Sequence, residues 1–350
     1  MFTRSTSRPL ALVLQDKLAR ASNALGSADA FSPLRDLFMR TFPYPEDDPR
    51  YRRNALMPMA PPFEPSFSET QPNTVRYTIE PLPPEAAPVD RRDEATREMR
   101  RLLGNFMGRD ALNWFDGASE PYRGFGTNNG GLGFGAFFGS AYDRNGLYSS
   151  KVYYEAPGGQ ISIDNMPMAL SRIVQTALAL IPGLQPLFTT VAAQRDAGGQ
   201  RLTFAATQPL RLADLQPTLD ALGLGHRLSG IMQMIGLILG GRFDLPANSA
   251  LLAFGDGPAG PDFEIYVLLN AIPDVPPSFL SLLTMGLSER PRGLAALERW
   301  MSAFTPEDEH WPGRFSIVSL RTDALTPPRV SLYLRPVEFE LPAEALQRAA

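Results

Sequence analysis

Short runs of alternating hydrophobic and polar residues come in pairs along most of the chain. The two members of each pair are separated by a few residues that include Gly, Pro, Asn or Asp, which favour tight turns. Alternation with a period of two, bounded by such turns, is typical of β-hairpins. The pattern therefore predicts five hairpins, and their strand pairs are PPFEPSFSET with TVRYTIEPL, GFGAFFGSAYD with YSSKVYYEA, PLFTTVAAQRD with QRLTFAAT, SALLAFGDG with DFEIYVLL, and GRFSIVSLRTD with RVSLYLRP.

Stretches in which apolar residues have helical spacing fill the intervals between the hairpins. The predicted helices cover residues 92–106, 168–180, 212–239 and 278–304, and the last two stretches are each broken once by Gly or Pro. The residues before the first hairpin are also partly helical. Helical and hairpin segments recur about every sixty residues, which indicates an internal repeat.

The predicted strands belong to one antiparallel sheet, because strands that come in hairpin pairs need no crossover connection. A sheet of ten strands curls or closes on itself. We therefore expect an α+β fold, a closed ten-stranded antiparallel β-barrel of five ααββ repeats with the helices outside; the alternative is an open sheet under a helix layer. We assign residues 1–54 to an N-terminal helical segment and connector, residues 55–340 to a single barrel domain, and residues 341–350 to a C-terminal tail.

Composition and charge exclude several classes of function. The chain of 350 residues has no cysteine and two histidines, which excludes disulfides and cysteine-ligated zinc and argues against a Ser-His-Asp triad. Its 33 basic and 37 acidic residues give a net charge of −4, so we expect no binding to nucleic acid. No run approaches the roughly 18 apolar residues of a membrane span, and the first residues lack the pattern of a secretory signal. We expect a soluble, cytoplasmic protein that does not bind membranes.

The second strand of each predicted hairpin has one polar and one apolar face. Residues two apart share a face of a strand, and on the polar face Arg or Lys recurs beside Thr, Ser or Tyr. Such a face is turned either to bulk water, as in a one-sided sheet, or to the interior of a barrel. Repeated tyrosines are unusual on a solvated face and favour the interior. The polar positions are Arg76, Thr78 and Glu80, then Lys151, Tyr153 and Glu155, then Arg201, Thr203 and Ala205, then Glu264 and Tyr266, and finally Arg329, Ser331, Tyr333 and Arg335.

Cations backed by tyrosine hydroxyls suit the binding of a diphosphate. Arg offers forked N–H donors, Lys offers a point charge, and Tyr adds an O–H donor. The π-faces of the tyrosines can also shield a developing carbocation. The predicted inner face therefore suits a reaction in which a diphosphate leaves and a carbocation forms.

Three segments of the chain resemble the dimethylallyltryptophan synthase family: PFEPS at residues 62–66, VRYTIEP at residues 75–81 and KVYYEAP at residues 151–157. Members of that family are aromatic prenyltransferases with the ABBA fold, or PT barrel, built from ααββ repeats. The five-hairpin count extends the resemblance over about residues 55–340. It implies transfer of an isoprenyl group, dimethylallyl by preference, from its diphosphate to an indole or tryptophan-type acceptor by electrophilic aromatic substitution.

The resemblance also implies roles for individual residues. Glu64 matches the glutamate that accepts the indole N–H, and Lys151 is the second catalytic residue. The sequence departs from the family at Thr203, Ala205 and Glu264, where the family has lysine, tyrosine and glutamine. The implied diphosphate-binding residues are Arg76, Lys151, Tyr153, Arg201, Tyr266, Arg329 and Tyr333, and further lining residues are Thr203, Glu264 and Arg335.

Neither a metal nor another cofactor is expected, because the chain lacks the DDxxD motif that binds magnesium-diphosphate in other prenyl-transferring enzymes. The expected partners are an isoprenyl diphosphate and a small aromatic or peptide acceptor. Two other functions are compatible with the sequence. One is prenylation of a phenol, or of a Tyr or Trp in a peptide, by an enzyme of the same fold. The other is a catalytically silent barrel that binds an amphipathic ligand, since fold alone does not determine function.

Overall fold

The structure, a computed structural model, describes residues 8–123, 131–161, 163–195 and 197–339. These residues form twelve strands. The predicted tail at residues 341–350 lies outside the described ranges. The strands are β1 (Phe63–Ser68), β2 (Val75–Ile79), β3 (Ala136–Asp143), β4 (Gly146–Glu155), β5 (Leu184–Gln194), β6 (Ala197–Ala206), β7 (Leu210–Arg211), β8 (Asp244–Leu245), β9 (Ala250–Gly257), β10 (Gly260–Leu268), β11 (Gly313–Asp323) and β12 (Arg329–Pro336).

Ten of these strands close into a barrel, while β7 and β8 pair only with each other. The order around the barrel is β1-β12-β11-β10-β9-β6-β5-β4-β3-β2, and every neighbouring pair is antiparallel. Closure depends on β1, which pairs with β2 at Glu64 and Thr78 and with β12 at Ser66 and Tyr333. The closed ten-stranded antiparallel barrel predicted from the hairpin pattern is therefore confirmed, and the open sheet is wrong.

Helices pack against the outside of the barrel. They are α1 (Leu10–Leu25), α2 (Arg35–Thr41), α3 (Pro88–Phe106), α4 (Arg109–Arg123), α5 (Met168–Leu180), α6 (Gln216–Ala221), α7 (Leu228–Ile238), α8 (Phe279–Leu287) and α9 (Pro291–Phe304). Two helices precede each hairpin except the third. Before the third hairpin the described residues form α5 alone, preceded by short 3-10 turns, because Gly158 and Gly159 adopt positive φ and Pro167 follows.

The hydrophobic core lies between the helices and the outer face of the barrel. Phe38 of α2 packs against Phe63 of β1 and Tyr77 of β2, with ring centres 6.3 and 5.5 Å apart. Burial of each such side chain contributes about 1.5–3 kcal/mol. The helices before residue 55 share this core with the barrel strands. Within the described residues, no helix is both long and apolar enough to cross a membrane.

A carboxylate in β4 fixes the loop that enters β3. Glu155 accepts hydrogen bonds from the backbone N–H groups of Gly133, Phe134 and Gly135 at 2.6 to 2.7 Å. Gly135 has a φ of +82°, and a Cβ there would lie 1.7 Å from the carbonyl oxygen of Pro88. Only glycine fits this position, where the loop crosses the start of α3.

Candidate active site

The barrel encloses a cavity of about 350 Å³. Each of the ten barrel strands contributes to its wall, and the cavity reaches the hairpin turns, which all lie at one end of the barrel. This volume is within the range of small-molecule binding pockets. The polar strand faces recognised in the sequence are thus turned to the interior and not to bulk water.

Most of the residues singled out in the sequence line this cavity: Arg76, Lys151, Tyr153, Arg201, Glu264, Tyr266, Arg329 and Tyr333. Three others continue the inward-facing rows further from the hairpin turns. Glu64 precedes Ser66 on β1, Thr203 follows Arg201 on β6, and Arg335 follows Tyr333 on β12. The structure therefore orders the site along the barrel axis, with Arg76, Lys151 and Arg201 nearer the turns and Glu64 and Arg335 at greater depth.

Two cations of the cavity are without a polar partner. Among the described residues, neither Arg76 nor Lys151 makes a hydrogen bond or an ion pair; the Lys151 ammonium lies 4.9 Å from the centre of the Tyr153 ring. Gly139 of β3 lies opposite Lys151, and a Cβ there would lie 3.0 Å from Lys151 Cε, so the missing side chain leaves room for the lysine stem. Burial, and next the charge of Arg76, lowers the pKa of Lys151 to about 7. Both groups are available to bind an anion.

Arg201 is held differently. Its two terminal nitrogens donate to Glu264 Oε2 and to Asp262 Oδ1, the latter at 2.6 Å. The other oxygen of Asp262 accepts from Arg321 at 3.2 Å. Gly255 lies between Arg201 and Asp262 in the register, and the absence of a side chain there leaves the ion pair its space. Arg201 thus faces the cavity from within an ion-pair cluster of two arginines and two carboxylates.

The two remaining arginines of the predicted set are also engaged. Arg329 donates to Glu69 at 2.9 Å, and Glu69 accepts a second ion pair from Arg290 at 2.7 Å, near the hairpin turns. Arg335 donates to the carbonyl oxygen of Pro58 at 2.9 Å, at the opposite end. These contacts anchor β12 to the segments that flank it.

Aromatic rings form part of the chamber wall. Tyr266 and Tyr333 lie with ring centres 6.0 Å apart, and Tyr153 meets Phe188 edge-on at 5.3 Å and Phe137 at 6.5 Å. Burial raises the pKa of the three tyrosines above the usual value, so each hydroxyl stays protonated at neutral pH. The wall therefore offers O–H donors together with π-faces.

Glu64 is 4% exposed and accepts a hydrogen bond from the Ser316 hydroxyl at 3.1 Å. Burial raises its pKa to about 7, although the Ser316 bond and the charges of Lys151 and Arg335 act in the opposite direction. A carboxyl group with a pKa near neutrality can accept a hydrogen bond or a proton from a ligand at this depth.

Sequence reasoning missed three members of the site, Asp262, Ser319 and Arg321. Asp262 lies two residues before Glu264 on the same face of β10, so the alternation already used for Glu264 could have found it. Ser319 and Arg321 lie on β11, the first strand of its hairpin, and the prediction considered inner faces on second strands alone.

No protein-family model and no curated protein sequence matches the chain. Several solved structures do. The 6-dimethylallyltryptophan synthase from Micromonospora olivasterospora in complex with DMASPP and Trp is 19% identical, with 93% of this chain and 97% of that chain covered and a TM-score of 0.69.

Two more similar structures extend the comparison. The 5-dimethylallyltryptophan synthase from Streptomyces coelicolor is 18% identical, with 97% of this chain and all of that chain covered and a TM-score of 0.69. AnaPT from Neosartorya fischeri is 15% identical over 80% and 79% of the two chains, with a TM-score of 0.58. This chain has the fold of the dimethylallyltryptophan synthases, and the PT barrel that the sequence resemblance implied is confirmed.

Proposed function

We propose that this chain is an aromatic prenyltransferase that transfers an isoprenyl group, dimethylallyl by preference, from its diphosphate to an indole or tryptophan-type acceptor. The observation that carries the proposal is the arrangement of the chamber. Two cations that have no polar partner among the described residues, Arg76 and Lys151, lie toward the hairpin turns, and the buried carboxyl group of Glu64 lies deeper. The similar structures that hold DMASPP and Trp support this choice of donor and acceptor.

The first step of the proposed reaction breaks the allylic C–O bond, and the electron pair stays on the diphosphate oxygen. Arg76 and Lys151 stabilise the negative charge that develops there, because fixed donors in a chamber shielded from water need no reorganisation. Hydroxyl groups of Tyr153, Tyr266 and Tyr333 add further donors. These groups take the role that a magnesium ion has in other diphosphate chemistry, so the proposed reaction uses no metal and no cofactor.

In the second step, a π-electron pair of the aromatic acceptor forms a bond to the allylic cation, and the ring then loses a proton. The aromatic wall around Tyr153 and Tyr266 keeps water from the cation, which water would otherwise convert to an alcohol. Glu64 accepts a hydrogen bond from the acceptor's N–H or O–H, which orients the ring and raises its electron density, and it then takes the proton that the cationic ring loses.

The test is incubation with dimethylallyl, geranyl and farnesyl diphosphate against tryptophan, tyrosine and peptides that contain them, with products identified by mass. We expect prenylated tryptophan from the dimethylallyl donor, and we expect equal turnover in excess EDTA. Within the described ranges, no group of three or more acidic or histidine side chains is arranged to hold a metal ion. Loss of turnover in EDTA with recovery in magnesium would contradict metal independence. A chamber that binds the donor without consuming it with any acceptor would indicate a silent ligand-binding barrel.

The pH dependence of kcat/KM should be bell-shaped with both limbs near pH 7. Activity should rise with pH as Glu64 ionises, because the carboxylate is the form that accepts a proton, and its pKa is about 7. Activity should fall as Lys151 loses its proton, since the ammonium is the form that binds the leaving group, and its pKa in the empty chamber is also about 7. Bound diphosphate raises the pKa of Lys151, so the falling limb of kcat should move to higher pH.

A direct measurement of Lys151 can accompany the kinetics. The chain has only two lysines, Lys17 and Lys151, so protein labelled with 13C at lysine Cε gives two side-chain signals. The charged groups around Lys151 are Arg76, Arg201, Glu264 and Arg321, and the first of these carries the largest effect after burial. One lysine signal should titrate near pH 7 and move upward with inorganic diphosphate. A kinetic profile without a falling limb, together with a Lys151 signal that stays protonated up to about pH 10, would contradict this assignment.

A further inference from the structure

Two buried carboxylates lie in the wall of a chamber that we propose binds an anion. Asp262 is 4% exposed and Glu264 is 5% exposed, and they occupy alternate positions on the inner face of β10. Negative charge beside an anion site opposes binding, and a buried charge is costly unless it is paired. The proposed reaction uses neither group, so the two carboxylates have another role in the chamber.

The contacts show that the two carboxylates occupy the terminal nitrogens of Arg201. Glu264 and Asp262 take one terminal nitrogen of Arg201 each, and Arg321 balances the second oxygen of Asp262. Two arginines and two carboxylates together carry no net charge. A ligand diphosphate can therefore obtain donors from Arg201 only in competition with the two carboxylates.

Glu264, like Asp262, is held through both of its carboxylate oxygens. One oxygen of Glu264 accepts from Arg201, and the other accepts a hydrogen bond from Ser319 at 2.7 Å. Its charge acts on Lys151 as well, where it opposes the larger effects of burial and Arg76 on the pKa of the ammonium. The negative charge of Glu264 is therefore close enough to act on Lys151, which has no polar partner among the described residues.

We propose that Glu264 limits how tightly the chamber holds a diphosphate, because it occupies Arg201 and places negative charge beside the anion site. This inference rests on the proposed function. In the wild-type protein, Arg76 and Lys151 then bind the diphosphate without Arg201, and the product diphosphate dissociates readily. Release of product limits turnover in many enzymes, so weaker binding of the product diphosphate maintains turnover.

The test is calorimetric titration of inorganic diphosphate into the wild-type protein and into Glu264→Gln. Glutamine keeps the size of the side chain and can remain bonded to Ser319 and Arg201, while the negative charge is lost. We expect diphosphate to bind about tenfold more tightly to Glu264→Gln, as expected for removal of one charge several ångströms from an anion. Misfolding cannot produce this result, since a damaged chamber binds less tightly and not more tightly.

A matched control changes the net charge equally at a distant surface. Asp214 pairs with Arg211 at 2.9 Å on an exposed turn before α6, and Asp214→Asn should leave diphosphate affinity unchanged. In steady-state assays Glu264→Gln should lower the KM of the isoprenyl diphosphate without raising kcat.

The outcomes separate this inference from the proposed function. Tighter binding in Glu264→Gln, with Asp214→Asn unchanged, supports the inference. Equal or weaker binding in Glu264→Gln, with clear binding to wild type, overturns it and leaves the proposed function standing. If inorganic diphosphate binds to neither protein, both fail. A similar gain in Asp214→Asn would mean that net charge alone is responsible, which also overturns the inference.

Discussion

Replacement of Lys151 by methionine should lower kcat/KM for the isoprenyl diphosphate by about a thousandfold, which corresponds to roughly 4 kcal/mol. Methionine keeps most of the aliphatic stem that lies over Gly139, so packing changes little, but the ammonium is lost. The ammonium has no other polar partner among the described residues, and its charge is therefore fully available to the leaving group. The loss should appear in single-turnover kinetics as slower C–O cleavage.

Arginine at the same position separates charge from shape. Lys151→Arg restores a positive charge but needs more space beside Gly139 and Tyr153, so we expect it to recover part of the rate and not all of it. Circular dichroism and thermal unfolding should show that both variants fold. An unchanged rate in a folded Lys151→Met protein would place the donor site elsewhere.

Glu64→Gln should lower the rate of prenylation about a hundredfold, within the range for lost acid–base assistance, with donor affinity nearly unchanged. Glutamine preserves the shape and an acceptor oxygen, but it cannot take a proton from the acceptor. Glu64 is buried and accepts a hydrogen bond from the neutral hydroxyl of Ser316, and no cation of the described residues forms an ion pair with it, so its charge remains available to the acceptor. The rising limb of the pH profile should disappear in the variant.

Ser316→Ala is the matched control for Glu64. It removes the hydroxyl that donates at 3.1 Å but leaves the carboxyl group, so the rate should fall by less than about tenfold. In this control the rising limb of the pH profile should move to higher pH. The Ser316 hydrogen bond favours the ionised carboxylate, so its loss raises the pKa of Glu64. If donor binding collapses in Glu64→Gln while acceptor binding persists, Glu64 is structural and the indole assignment loses its main support.

The barrel was predictable because its strands carry their signal locally. Alternation along KVYYEA and RVSLYLRP places one row of side chains on each face, and a tight turn before each strand fixes the partner. Helix α4 was not predicted, because Gly117 and Pro121 lie within it and both residue types are unfavourable in a helix interior. Its apolar residues Leu112, Phe115, Ala118 and Tyr122 do have helical spacing, so the helix could have been found from the pattern.

The charge state of the site was less predictable than its residues. Whether an arginine or lysine of the chamber is paired with a carboxylate depends on the register between strands that are not neighbours in the barrel. Arg201 reaches Asp262 across β9, because Gly255 stands between them, and nothing in the pattern of β6 or β10 alone indicates this. Arg76 and Arg201 look equivalent in the sequence, yet one is unpaired among the described residues and the other is doubly paired. The loss of the family's glutamine at Glu264 was visible in the sequence, but its consequence for Arg201 was not.

The pairing of β1 with β12 also determines when this protein can become native during its synthesis. Ser331 and Ser68, which share a hydrogen bond across that seam, are 263 positions apart in the sequence. While a ribosome is still making β12, the nascent chain holds two unpaired strand edges, at β1 and β11, and such edges pair readily with other chains. Strand β12 thus completes the chamber and at the same time pairs both exposed edges, so protection from edge-to-edge association and formation of the chamber are one event.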